Sequence, residues 1–561
     1  PTSRTILDGL NGHVDSGEIV AILGASGAGK TTLLNILSSR LDSTGTLSGE
    51  VTFNGADRRA VNWKRTLGFV EQDDLLYGQL TVTETLDYSA QLRLPTTNYT
   101  LAQKRARVAE TIEILRLEKC AGARIGDGET RGVSGGERKR VAIGQELVSD
   151  VRVLMLDEPT SGLDSFSALN LIQNLREIAK KRDVVCLMTI HQPSWEIFSN
   201  FTRVILMTRG KVFYEGPPSD ALDYFSNTVG LTVPRDVNPS DWFLTISENF
   251  EKSELGEERV EKLISTWQRF SEANLMKLSP TYPPTLEKEQ WAVSWFHELA
   301  LLTRRNYQQI ARNPKIWIGS FAQNIVLLIL IGFAFFRRDL DQGGVISRLG
   351  VLFFIPINNS FSAVFPILTV FPSKRAMSIR ERAAGMYRCS SFYLSNVIVE
   401  IPSQVAQRAL FIIVVYWMIG LKGEAGAFFI WLLVNFVQLL SAVGLGFLIG
   451  AGATNVQAAN AIAPLANVIF LLFGGNLLPL NDIPKYFIWL HWMSPITYAF
   501  QALSLNEFSG LNFSCPTDAQ SSTQCYRTGQ DVLRQYALQR FSVWENVGFL
   551  CLISFVFGLL G

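Results

Sequence analysis

Five apolar runs in the second half of the chain decide most of what it can fold into: Ile316 to Phe336, Leu349 to Phe371, Phe392 to Leu421, Ala425 to Ala453 and Ala458 to Leu480. Each is long enough to cross a hydrocarbon layer about 30 Å thick. Backbone polar groups in that layer find partners only within the segment, so each run is expected to be a membrane-spanning helix. A sixth run starts near Val543 and continues to the last residue, Gly561. Lys and Arg gather on the cytoplasmic side of such spans. Arg304, Arg305, Arg312 and Lys315 precede the first run, and Lys374, Arg375, Arg380, Arg382 and Arg388 follow the second; Arg337 and Arg338 run against the pattern. This bias puts the N-terminal half in the cytosol and the 480–542 loop outside the cell or in a lumen.

Composition agrees with a chain that lies partly in lipid. It is 47% hydrophobic and 18% charged, with a mean hydropathy of +0.17, against roughly 25% charged residues in an average soluble protein. Its 561 residues correspond to three or four domain equivalents at roughly 150 residues each. The 51 basic and 50 acidic residues nearly cancel, which argues against nucleic acid as a partner. Six cysteines are too few for a disulfide scaffold. The chain opens at Pro1 without a charged-then-apolar leader, and both ends read as trimmed.

Residues 1–250 alternate β-branched runs with amphipathic stretches, an α/β pattern. Residues 251–290 form a charged connector with Pro280, Pro283 and Pro284 and one helix from Arg259 to Leu275. Across 291–315, Ala292, Trp295, Phe296, Leu299 and Leu302 share one helical face, as in a helix lying on a membrane surface or a buried soluble helix.

Three segments of the α/β half carry chemistry. Gly24-Ala25-Ser26-Gly27-Ala28-Gly29-Lys30-Thr31-Thr32 follows the strand Ile19 to Leu23 and opens a helix. In a phosphate loop the glycines let amides wrap the phosphates, Lys30 neutralises the β and γ oxygens, and Thr31 offers a hydroxyl to Mg²⁺; the plain alternative is a glycine-rich turn. Val153 to Leu156 ends in Asp157-Glu158, an arrangement that holds Mg²⁺ and presents a carboxylate to an attacking water, or merely a solvated strand end. Between them, Ser134-Gly135-Gly136-Glu137 stands at the start of a basic helix, where free amides make an anion site.

The ordered set of phosphate loop, Gln72, Ser134-Gly135-Gly136-Glu137, Asp157-Glu158, Ser161-Gly162-Leu163-Asp164 and His191 resembles the nucleotide-binding domain of ATP-binding cassette transporters. The segment Asn238 to Phe243, Glu381-Arg382 with Met386-Tyr387, Glu400-Ile401-Pro402 and Asn506 to Gly510 resemble the G subfamily, the White-type half-transporters. The resemblance implies a P-loop α/β domain followed by an all-α membrane domain of six spans, 316–561. It implies ATP and Mg²⁺ as cofactors: Thr31, Gln72 and Asp157 at the metal, Glu158 polarising water, His191 at the γ-phosphate, and Ser134 capping ATP held by a second subunit, with Asp164 coupling the two sites. One departure is that no adenine-stacking aromatic stands upstream of Gly24.

In the membrane half the same resemblance places Asn358, Phe361 and Ile469 on a central cavity and Leu477 and Leu478 as its outward plug; helix packing and lipid contact are the plain alternatives. Ser378 to Arg388 reads as a cytosolic helix transmitting motion, or as a charged membrane-edge helix. Cys515 and Cys525, ten apart in the outer segment, are expected to form a disulfide, and Asn512-Phe513-Ser514 is a glycosylation sequon on the same side. The expected activity is ATP-driven export of amphipathic small molecules by a homodimer in the plasma membrane. A heterodimer with another half-transporter and an ATP-gated regulator that does not pump are the alternatives.

Overall fold

The computed structural model describes residues 5–40, 45–127, 130–234, 236–251, 254–274, 291–515 and 525–561, with backbone alone in 247–251, 254–259, 272–274 and 315–316. They divide into two compact units, 1–309 with 380–392, and 310–379 with 393–561.

The first unit is built on a six-stranded sheet. Its strands are β1 (Ile19–Gly24), β4 (Leu67–Val70), β5 (Val153–Leu156), β6 (Val185–Thr189), β7 (Arg203–Thr208) and β8 (Lys211–Gly216); β2 (Thr52–Phe53) and β3 (Ala56–Asp57) pair separately. The order is β4-β5-β6-β1-β7-β8, parallel except for the β7–β8 pair. Parallel strands are covered on both faces and so read as unbroken apolar runs. Every residue of β1 and β5 is buried. Helices α1 (Lys30–Ser38), α2 (Gly135–Leu147) and α3 (Ser165–Arg182) follow the segments singled out above. Helix α4 (Trp295–Ala311) starts in this unit.

The expected face is split: Ala292 and Leu302 are buried, Trp295 and Leu299 half-buried, and Phe296 exposed. Phe296 is 77% and Tyr307 66% exposed, whereas Glu298, Arg305, Asn306 and Gln309 are buried beside Leu301 and Leu302. The side that packs on protein is therefore a mixed stripe of polar and apolar residues.

The second unit is helical: α5 (Pro314–Ala334), α6 (Gln342–Ala383), α7 (Cys389–Ile419), α8 (Ala425–Gly452), α9 (Val456–Leu472), α10 (Ile488–Met493), α11 (Pro495–Phe508) and α12 (Val543–Leu560). Five of them, α5, α6, α7, α8 and α12, are long and apolar enough to cross a membrane, while α9 is shorter. The run expected to reach Leu480 therefore ends as helix at Leu472, just before Gly474-Gly475. α6 and α8 form the centre, with 67% and 72% of their most apolar stretches buried against 17% for α5. Buried polar pairs tie that centre together, as is common where lipid gives helices no hydrophobic reason to associate: Asn359 Nδ2 donates to Asn435 Oδ1 (2.8 Å) and Ser360 Oγ to Asn467 Oδ1 (2.5 Å).

Candidate functional site

β1 delivers Gly24 to the C-terminal edge of the sheet, and the chain turns through Gly29 before α1 starts at Lys30. Gly27 and Gly29 have φ of +83° and +97°, and a Cβ on Gly24 would collide with the Met207 carbonyl oxygen, so both backbone sign and close approach demand glycine. The first-turn amides of α1 and its dipole then form an anion site. Lys30 is buried, and its Nζ donates to the carbonyls of Gly24 (2.7 Å) and Ala25 (3.0 Å). Burial lowers its pKa, while Glu158 and Asp157 pull it back up.

β5 runs parallel in the same sheet, one strand removed from β1, so Asp157 and Glu158 emerge at the same edge. Asp157 Oδ1 accepts from Thr189 Oγ1 (2.6 Å) and Thr31 Oγ1 (3.3 Å). Glu158 adopts φ +45°, a left-handed conformation that non-glycine residues hold only where neighbours over-determine it. Its N–H donates to Thr189 Oγ1 (2.9 Å) and its carboxylate accepts from Gln72 Nε2 (3.0 Å). Thr189, at the end of β6, braces both acids. Lys139 of α2 is buried, donates to the Gln72 carbonyl (2.8 Å) and pairs with Asp74 (2.9 Å). The sequence reading missed both Thr189 and Lys139, since neither belongs to a contiguous motif.

Ser134 caps α2 in a reciprocal box with Glu137, its N–H donating to Glu137 Oε2 at 2.8 Å. That bond lowers the Glu137 pKa. Asp164 caps α3 by accepting from the Ser167 N–H (3.0 Å). Ser134, Gly135, Asp164 and His191 are exposed, and among the described residues no hydrogen bond joins Ser134 to the phosphate loop. One chain brings Lys30, Thr31, Gln72, Asp157 and Glu158 together and leaves Ser134 to face outward.

A second buried polar cluster lies in the same unit. Arg305 of α4 makes a two-pronged pair with Glu381 (2.9 and 3.0 Å), and the Tyr387 hydroxyl donates to the same carboxylate (2.5 Å). Arg305 also donates to the Tyr77 hydroxyl (3.3 Å) and lies over its ring, 4.5 Å from the centroid. Burial pushes the Tyr77 and Tyr387 hydroxyls well above their ordinary pKa. Arg380 donates to Gln145 Oε1 of α2 (2.8 Å). Of the basic stretch that ends α6, Arg380 is buried against α2 while Arg382 is exposed.

In the second unit, Asn358 is buried with its Nδ2 lacking a partner among the described residues, and Phe361 stacks on Phe365, centroids 6.1 Å apart. Ile469 and Leu478 are half-buried and Leu477 is 55% exposed. Asn512 is exposed, and the Cα atoms of Cys515 and Cys525 are 6.0 Å apart, within disulfide reach.

A phosphate loop, a strand-end acid pair and a capped signature helix beside an apolar helical unit define an ATP-binding cassette transporter. Family models agree: an ABC transporter model matches residues 7–161, and ABC-2 type transporter models match 297–508 and 191–277. The chain is 33% identical to the broad substrate specificity ATP-binding cassette transporter ABCG2 of Bos taurus, over 98% of this chain and 88% of that one. It is 36% identical to ABC transporter G family member 22 of Arabidopsis thaliana (88% and 69%) and 34% to protein white of Ceratitis capitata (94% and 79%). The chain belongs to the G family of ABC transporters. It is an integral membrane protein whose ATPase drives transport, in a family of half-transporters that act as dimers.

Proposed function

We propose that the chain exports amphipathic or hydrophobic small molecules, such as lipids, sterols, hormones or xenobiotics, across a eukaryotic plasma membrane by alternating access as a homodimer. The observation that carries this reading is an intact hydrolytic edge in the same chain as an aromatic face: Phe361 stacked on Phe365, with the unpaired Asn358 Nδ2 on the same helix. A flat apolar ligand would stack on Phe361 and take one hydrogen bond from Asn358, with Ile469 beside it and Leu477 and Leu478 closing the outward end. The broad substrate specificity named for the Bos taurus relative supports a cavity of this kind.

At the nucleotide, Lys30 and the amides of Gly24 to Thr32 hold the phosphates, Gln72 and Glu158 orient water, and His191 faces the γ-phosphate. Ser134 to Glu137 and Asp164 close over the other subunit's phosphate loop. Thr31, Gln72 and Asp157 would hold Mg²⁺. Their hard oxygens suit that ion, and Thr31 Oγ1 already meets Asp157 Oδ1 at 3.3 Å. When bound, Mg²⁺ neutralises charge on the β and γ oxygens. Swinging an equilibrium from 1:99 to 99:1 takes roughly 5.5 kcal/mol of differential binding, within reach of two sandwiched nucleotides.

In this reading 1–250 is the cytosolic cassette, 251–290 a connector, 291–315 an interfacial helix and 316–561 the membrane domain. The outer 480–542 loop carries the Cys515–Cys525 disulfide and glycosylated Asn512. The basic end of α6 passes cassette closure to the cavity. The test is vanadate-sensitive ATPase of the purified chain in lipid, wild type against Glu158→Gln, across sterols, flavonoids and dyes. Turnover that the mutant lacks and some compounds stimulate is expected. A folded, ATP-binding but silent chain overturns the homodimer and directs the search to a partner half-transporter.

A further inference from the structure

α9 stops at Leu472, and a helix that stops leaves carbonyls without intrahelical partners. Three side chains from the α10–α11 corner take them. Ser494 Oγ donates to the Phe470 carbonyl (2.9 Å), Thr497 Oγ1 to the Phe473 carbonyl (3.3 Å), and His491 Nδ1 bonds the same Phe473 oxygen at 2.7 Å. All three residues are buried, none more than 1% exposed. The imidazole also lies under Gly475, where an added Cβ would meet its Cε1 at 3.5 Å and where φ is +94°. One ring therefore touches both ends of Phe473-Gly474-Gly475, and Leu477 and Leu478 follow after Asn476.

A carbonyl only accepts, so Nδ1 carries the proton and the neutral ring has a bare Nε2. That Nε2 is buried and has no partner among the described residues. A second proton would set an N–H where no acceptor stands, which costs the full desolvation of that group. Burial lowers the His491 pKa, the Phe473 carbonyl opposes this, and Arg540, 4.9 Å from the Trp492 ring centroid, lowers it further. Nearby elements add little else. α9 has no titratable residue. α11 carries Tyr498, whose hydroxyl donates to the Trp492 carbonyl, and Glu507, which pairs with Arg348 of α6 and accepts from the Lys422 N–H. Asp482 and Lys485 are exposed, and Glu545 of α12 is held by the Ser542 N–H.

We infer that His491 is the positioning residue of the outward exit turn: neutral, it pins Phe473 to Leu478, and protonated from the outer side it releases them, coupling exit to outside acidity. The inference rests on the reading of Leu477 and Leu478 as the outward closure. With a titrating group, release follows the outer pH while the cytosolic ATPase stays at constant pH. The His range lies between about pH 5 and 8, and burial lowers the pKa of His491.

The test uses the full chain carrying Leu478→Cys, with the exposed free cysteines replaced (Cys389→Ser, Cys551→Ser), in right-side-out vesicles. An impermeant maleimide is applied as the outer medium is taken from about pH 7.5 to about pH 5, a span that covers imidazole titration. Rates are divided by those of a matched His491→Gln chain at the same pH, which cancels titration of the thiol itself. The expected ratio rises several-fold toward acid, and Arg540→Gln moves its midpoint toward neutral pH. A flat ratio, or a midpoint that ignores Arg540→Gln, overturns the inference. Leu477→Ala with Leu478→Ala tests the closure separately. Unaltered transport in that variant overturns the closure and with it the link to exit, while an impaired or leaking variant with a flat labelling ratio overturns the His491 switch alone.

Discussion

Removing one charge of the Arg305–Glu381 pair is expected to cost far more than removing both. The side chains are 3% and 2% exposed, joined by two bonds of 2.9 and 3.0 Å, with Tyr387 supplying a third donor to the carboxylate. Arg305→Met leaves Glu381 buried with the Tyr387 hydroxyl as its remaining donor in this cluster, and Glu381→Met leaves a buried guanidinium facing Tyr77. Breaking a buried pair from one side costs about 3–5 kcal/mol, whereas replacing both partners by apolar side chains of similar volume is near neutral. Each single loss should therefore be on the order of 3 kcal/mol or more, about two decades in an opening equilibrium, and the coupling energy about twice that. Hydrogen–deuterium exchange in lipid nanodiscs reads that equilibrium for amides of 380–392. Each single variant should exchange much faster than wild type, and the double variant close to it. Losses that add to within about 0.5 kcal/mol would refute the reasoning, because independent residues add and a shared buried pair does not.

Thr189→Val removes the 2.6 Å donor to Asp157 and the acceptor for the Glu158 N–H; at about 1–3 kcal/mol per unsatisfied group, kcat should fall, with Thr189→Ser restoring it. Lys139→Met releases the Gln72 loop, so ATPase should drop while nucleotide affinity, read by a fluorescent ATP analogue, holds. Glu137 has a depressed folded-state pKa, so its contribution to the α2 cap is full above its unfolded value of 4.5 and fades as pH falls through the folded one. Exchange protection at the start of α2 should therefore weaken on the acid side in wild type and stay flat in Glu137→Gln.

The hydrolytic edge was legible because its chemistry is local. A phosphate loop needs Gly24, Gly27 and Gly29 within one turn, and Asp157-Glu158 need only the end of a buried strand. Thr189 and Lys139 were not legible, since their meaning depends on β6 lying between β5 and β1 and on α2 reaching the Gln72 loop, facts of sheet order rather than of spacing. The fifth span was read too long for a related reason. Hydropathy continues through Leu480, but α9 ends where Ser494, Thr497 and His491 satisfy its last carbonyls, and these arrive from more than 20 residues downstream of Phe470.

Helix α4 marks the limit of hydrophobic periodicity itself. The pattern put Ala292, Trp295, Phe296, Leu299 and Leu302 on one face, yet Ala292 and Leu302 are buried, as are Glu298, Arg305 and Gln309, while Phe296 is exposed. What periodicity assigns next, apolar side inward, assumes water outside. Here Glu298 accepts from Arg388 Nη1 (2.9 Å), the Arg388 N–H (3.1 Å) and Ser391 Oγ (2.9 Å), and Arg305 binds Glu381, so the two buried charges of this face are each paired. The outer side is mixed as well, with His297 and Arg304 exposed beside Phe296 and Tyr307. The packing of α4 thus follows from where its charges find partners rather than from where the apolar residues repeat.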